Sequence, residues 1–178
     1  PDEAVAIDVD IKNVKKLLVK VFEINTFNYY QKTGREVDAS INLDGLVANH
    51  ETTSEYSDSP LRRVRRRFAL DAVRRPGVYV VELIGNGLSS RAVIHKGRLQ
   101  FTERLGAAGH VFTVRDGSGT RLLNAAIWFG GKNYVADKNG EIGLPYSTSP
   151  GRRSMVLPHG ELSSLGHFQH RADVDDLT

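Results

Sequence analysis

Cysteine is absent from the 178 residues, and methionine and tryptophan occur once each. Without thiols there are no disulfide staples, no cysteine nucleophiles and no Cys-ligated zinc or iron–sulfur centres. No apolar run approaches the roughly 18–20 residues that a membrane-spanning helix requires. No basic–apolar leader is visible either, and the chain, opening on Pro1, is expected to be a piece of a longer protein. Phosphate loops of the form Gly-x-x-x-x-Gly-Lys-Ser/Thr are missing, and Gly85-Asn86-Gly87-Leu88-Ser89 is not the Gly-x-Ser-x-Gly elbow of a serine hydrolase. The composition, 40% hydrophobic and 25% charged, is that of a folded chain rather than a disordered one. No cofactor is expected.

Charge is present but unevenly spread. Residues 1–60 hold 6 Lys+Arg and 11 Asp+Glu, and the remainder hold 18 and 10, so a net −5 is followed by a net +8. The swing begins at Leu61-Arg62-Arg63-Val64-Arg65-Arg66-Arg67-Phe68. In an extended strand Val64, Phe68 and Leu70 share one face, and Arg63, Arg65 and Arg67 share the other. Arg66 interrupts the apolar face. Two readings follow: a strip that binds an anion, or a solvated face paired with the acidic first third. No aromatic residue interleaves these arginines, which argues against a nucleic-acid partner.

The dominant period is two. Val5, Ile7, Val9 and Ile11 alternate, and the run Lys16 to Ile24 is β-branched and partly two-sided, as in a central strand. Glu36 to Leu46 alternates again through Val37, Ala39, Ile41 and Leu43. A polar stretch, Ala48 to Pro60, reads as a loop or ragged edge. Val78 to Ile84 and Ser89 to Lys96 form a hairpin about Gly85-Asn86-Gly87, and Arg98 to Thr102 is a further strand. Thr26 to Lys32 is the one helix candidate. Leu105-Gly106-Ala107-Ala108-Gly109 has the composition of a linker between domains. Beyond it, Val111–Val114, Leu122–Phe129, Lys132–Ala136, Glu141–Leu144 and Arg152–Leu157 are short strands, punctuated by Asp116-Gly117-Ser118-Gly119, Gly130-Gly131 and Asp137-Lys138-Asn139-Gly140. This spacing predicts antiparallel sandwiches.

In the second half, Val114-Arg115-Asp116-Gly117, Leu123-Asn124-Ala125-Ala126-Ile127-Trp128 and Val135-Ala136-Asp137-Lys138-Asn139-Gly140-Glu141-Ile142 together resemble the carboxypeptidase regulatory-like, transthyretin-like domain over about residues 109–160. In the first half, Val9 to Ile24, Phe68-Ala69-Leu70 and Pro76-Gly77-Val78-Tyr79-Val80-Val81-Glu82-Leu83 resemble a sandwich repeat of bacterial alpha-macroglobulin-like proteins over about residues 5–104. These resemblances imply an all-β chain of two tandem antiparallel β-sandwich domains, 1–105 macroglobulin-like and 106–178 regulatory-like and transthyretin-like. They imply a secreted or cell-envelope parent protein. The reactive thioester of the macroglobulin family needs a cysteine, so this piece would be scaffold.

Candidate chemistry is sparse. His159, His167 and His170, with Glu161 or Asp173, are the nearest approach to a metal constellation, but their spacing fits no helical pair, and in a strand His167 and His170 point to opposite faces. Asp8 and Asp10 share a strand face where Ca²⁺ could sit, although such pairs are ordinary on a polar sheet. No catalytic or metal residue is assigned. The candidate anion-binding residues are Arg63, Arg65 and Arg67. The candidate aromatic platform is Tyr29, Tyr30, Trp128 and Tyr134, with core packing as the alternative for Trp128 and Tyr134. The expected function is a non-enzymatic structural or protein-interaction module. Its partners would be other domains of the parent protein or another protein, and the alternative is a glycan- or polyanion-binding module.

Overall fold

The computed structural model describes residues 3–173. Among the described residues the chain is all-β apart from one short helix, and it divides into two compact units. The first comprises residues 1–24 and 37–96, and the second residues 25–36 and 97–178. The chain therefore passes from one unit to the other three times.

In the first unit β1 (Ala6–Lys12) pairs antiparallel with β4 (Arg63–Ala69) as a two-stranded ribbon. A four-stranded antiparallel sheet contains β2 (Lys16–Glu23), β3 (His50–Glu55), β5 (Gly77–Gly85) and β6 (Leu88–Lys96), in the order β3-β2-β5-β6. The two-sided apolar run of β2 is explained by its central place between β3 and β5. Leu17, Val19 and Val21 of β2 and Tyr79, Val81 and Leu83 of β5 pack in one core with Ile11, Leu70 and Val73. Ile7, Val9 and Phe68 close that core from the ribbon, as the alternation of β1 and β4 requires.

The alternation from Glu36 to Leu46 does not make a strand; this segment is a loop with two turns. Asp38 and Asn42 are the reason. Asp38 Oδ1 accepts from the Ser40 N–H at 2.8 Å, and Asn42 Oδ1 accepts from the Asp44 N–H at 2.9 Å. Such local side-chain acceptors compete with a sheet ladder for the backbone donors. Val37 and Leu43 are nonetheless buried. Arg91 pins the loop, donating to the carbonyls of Ala39 and Ile41 while its guanidinium lies 3.3 Å from Glu82.

In the second unit a four-stranded sheet holds β9 (Ala126–Phe129), β10 (Lys132–Val135), β12 (Gly151–His159) and β13 (Leu162–His170), ordered β10-β9-β12-β13. Facing it is a three-stranded sheet of β7 (Gln100–Gly106), β8 (Gly109–Arg115) and β11 (Glu141–Leu144), ordered β11-β8-β7. Phe112, Val114, Ile127, Ile142, Leu144, Met155, Leu157 and Phe168 fill the core between them. Leu105 to Gly109, expected as a linker, is the turn of the β7–β8 hairpin, in which Gly106 faces Gly109. The divide between units falls at Lys96–Gly97 rather than at 105/106, because β7 is bonded along its length to β8. Of the strand expected over Leu122–Phe129, only Ala126–Phe129 forms.

Helix α1 (Thr26–Thr33) belongs to this second unit, although it lies between β2 and β3 in the chain. Asn25 caps it by accepting from the Asn28 N–H, and Gly34, in the left-handed conformation at φ +60°, ends it. The helix packs against β12 and β13. Alternation places Met155, Leu157 and Phe168 toward the core, so Val156 and Leu165 point the other way, and both are buried. Phe27 meets Trp128 edge to face, with ring centroids 5.9 Å apart.

Candidate functional site

The arginine run forms a cross-strand charge ladder. In the β1–β4 register Asp8 faces Arg67, Asp10 faces Arg65 and Lys12 faces Arg63, all on one side of the ribbon. Ile7 with Phe68 and Ile11 with Val64 occupy the other side. Arg65 Nε donates to Asp10 Oδ1 at 3.2 Å, and Arg67 Nη1 lies 3.9 Å from Asp8 Oδ1. The hydrogen bond to Asp10, then the charges of Asp10 and Asp8, raise the Arg65 pKa above its ordinary value. The two arginine side chains are 71% and 73% exposed, so water and salt weaken both pairs.

The third rung differs. Lys12 and Arg63 are both cations and both exposed, and neither has an acidic partner among the described residues. Like charges directly opposite across a ladder repel. The exposed Arg62 adjoins this rung, and Leu61 beside it is 87% exposed. Arg66, which interrupts the apolar face, is satisfied in place. Its guanidinium pairs with Asp58 and stands 4.6 Å over the Tyr56 ring.

The four aromatic candidates do not share one surface. Tyr30 is buried on α1 and its hydroxyl donates to Glu36 Oε2 at 2.8 Å. Burial, then that carboxylate, drives its pKa far above the ordinary tyrosine value. Tyr29 is half-buried and packs edge to face with Tyr30. Tyr134 faces Ile127 across β9–β10 and packs on the core, whereas Trp128 points to the opposite side of β9, toward Phe27.

His110 is a feature that residue spacing did not reveal. It is fully buried on β8, with Nδ1 2.5 Å from Glu103 Oε1 of β7 and Nε2 3.1 Å from the Arg171 N–H. A carboxylate accepts and a backbone N–H donates, so the ring proton resides on Nδ1 and Nε2 is the acceptor. Both nitrogens are thus committed to structure. His170 Nε2 bonds the Pro145 carbonyl at 2.8 Å, and its ring packs 5.2 Å from Phe129. His167 is exposed opposite Ser154 on β13. Among the described residues no three His, Asp or Glu side chains are grouped to hold a metal.

Two turns of the second unit are built on aspartates. Asp116 Oδ1 accepts from the Ser118 hydroxyl at 2.6 Å and from the backbone N–H groups of Ser118 and Thr120, both at 2.9 Å. Asp137 Oδ1 accepts from the N–H groups of Asn139 at 2.8 Å and Glu141 at 3.0 Å. These bonds hold both carboxyls below the usual aspartate value. The Ser118 hydroxyl contributes most at Asp116, and the Glu141 N–H contributes most at Asp137.

The chain resembles known proteins at two levels. Residues 17–97, which run from β2 through β6, match the family of the AbpF first immunoglobulin-like domain. Across its whole length the chain is 37% identical, over 185 aligned residues, to "Actin-binding protein F" of Dictyostelium discoideum. It spans 8% of the length of that relative. In structure it is similar to native alpha-2-macroglobulin of Escherichia coli. Against the part spanning domains MG0-NIE-MG1 the TM-score is 0.54 at 11% identity, covering 90% of this chain and 57% of that one. Against the part spanning NIE-MG1 it is 0.53 at 10% identity, covering 89% and 86%. At such identities the second likeness is one of fold: an all-β, macroglobulin-like sandwich architecture.

Proposed function

We propose that the chain is a non-enzymatic protein-interaction module of a longer protein, similar in kind to actin-binding protein F, and that it contributes to binding actin. The observation that carries this reading is the extent of the likeness. It covers all of this chain at 37% identity, and so includes both sandwiches and the helix inserted between β2 and β3. The chemistry of the residues supports it. His110 and His170 are engaged in structural hydrogen bonds, and Asp8 and Asp10 are matched to arginines rather than gathered around a cation site.

Co-sedimentation with filamentous actin tests the proposal. The chain is expected to pellet with filaments in a saturable manner, above the level of an inert protein of equal size. A folded chain that stays in the supernatant at every actin concentration overturns it. The glycan reading draws less support from the same geometry, because Tyr30 is buried and Trp128 packs toward Phe27 rather than standing as an open platform.

A further inference from the structure

Within the β1–β4 ribbon the outer face carries four cations (Lys12, Arg63, Arg65 and Arg67) against two carboxylates, Asp8 and Asp10. The excess is concentrated at one end. There the Lys12–Arg63 rung has no acidic partner among the described residues, and Arg62 adds a third exposed cation. A ladder that neutralises two successive rungs and leaves the next cationic on both strands loses stability at that rung. Leu61, 87% exposed, adds an uncovered apolar side chain at the same end.

We propose that this face takes up an extended acidic segment of a partner protein, with carboxylates at alternate positions and an apolar residue that covers Leu61. The inference rests on the protein-interaction reading above and names its surface. Side chains on one face of a strand repeat at about 6.6–6.8 Å, twice the rise per residue. An extended segment with acids at every second position therefore presents carboxylates at the spacing of Arg63, Arg65 and Arg67. Each guanidinium has five N–H donors, so the arginines already paired with Asp8 and Asp10 retain donors for a second acceptor. A protein segment fits better than a glycan or a nucleic acid. The outer residues of the ribbon include no aromatic ring on which a sugar or base would stack, whereas Leu61 calls for an apolar side chain.

The test uses the full chain and two labelled synthetic peptides of identical composition, one with glutamates alternating with threonine and valine, the other with glutamates in a block. Anisotropy titrations at low salt are expected to show saturable binding of the alternating peptide, at least about threefold tighter than the block peptide. Binding should weaken toward about 0.15 M salt. The variant combining Lys12→Ser, Arg62→Ser and Arg63→Ser is expected to bind about three- to tenfold more weakly. Its thermal unfolding should be unchanged or raised, since the repulsive rung is gone. Equal affinity for the two peptides, unchanged binding by the variant, or retention on heparin with no peptide binding each overturns the proposal. Actin pelleting is measured in parallel. Filaments that pellet the wild-type chain and the variant equally, with no peptide bound, reject this surface and leave the module reading standing. Loss of wild-type pelleting rejects actin as the partner whatever the peptides do.

Discussion

Phe27 and Trp128, 101 positions apart in sequence, meet edge to face with their ring centroids 5.9 Å apart. The contact ties a helix that leaves β2 to a sheet formed only after residue 125. The second unit therefore borrows its outer cover from a segment that is embedded, by sequence, in the first.

A fragment of residues 97–178 is accordingly expected to fold poorly. Without residues 25–36 it exposes Val156, Leu165 and Trp128, which α1 otherwise covers or flanks. Enhanced ANS fluorescence and a weakened near-UV circular dichroism signal would show this. Joining residues 25–36 to the fragment through a flexible linker should reverse both changes. A fragment that behaves like the full chain without that helix would contradict the assignment of α1.

At Gly109 the backbone stands at φ +141°, and an added Cβ would fall 2.1 Å from the Leu144 carbonyl oxygen. That neighbour is backbone bonded into β11–β8 and cannot move aside. The substitution Gly109→Ala is expected to cost about 3 kcal/mol or more, measured by urea unfolding. At Gly143 a Cβ meets nothing within 4 Å, so Gly143→Ala should be tolerated within about 0.5 kcal/mol.

Removing the His110 ring leaves the Arg171 N–H without its acceptor and Glu103 without its donor. His110→Leu is expected to destabilise by about 2–4 kcal/mol. Glu103→Gln, which keeps a carbonyl oxygen for the His110 Nδ1–H, should cost about 1 kcal/mol. If the two variants cost the same, a neutral acceptor at position 103 does not stand in for the carboxylate beside His110 Nδ1.

Asp116 and Asp137 make the second unit sensitive to acid. Each has a folded-state pKa below its unfolded value, so each contributes stability that is fully present above the unfolded pKa of about 4. That stability is lost as pH falls through the lower, folded value. Thermal scans between pH 5 and 2 should show a falling transition. Asp137→Ala should lower the transition at neutral pH and flatten the pH dependence. A slope identical to wild type would mean that the turn bonds do not matter to stability.

Much of this architecture is legible in the sequence, because sheets impose a period of two and turns demand particular residues. Alternation in Val5 to Ile11 and in Val64 to Phe68 put the ribbon's two faces in place, and Gly130-Gly131 and Asp137 to Gly140 marked real reversals, with Gly130, Gly131 and Gly140 all at positive φ. The same rule misread Glu36 to Leu46, where Asp38 and Asn42 take the backbone donors for themselves. It also had no means of telling a flexible Gly-Ala stretch from the hairpin turn that Gly106 and Gly109 make.

What the sequence determined by itself was the fold class, the face on which each arginine lies and the absence of thiol chemistry, since all three follow from residue identity and local period. The tertiary structure alone decided which partner each charge meets. That Asp8 and Asp10 answer Arg67 and Arg65 while Lys12 leaves Arg63 unanswered depends on the register of two strands 50 residues apart in the chain. The docking of α1 on β12 and β13 of the second unit and the burial of His110 against Glu103 are likewise products of long-range pairing, because no local period encodes which strand or sheet a segment will meet.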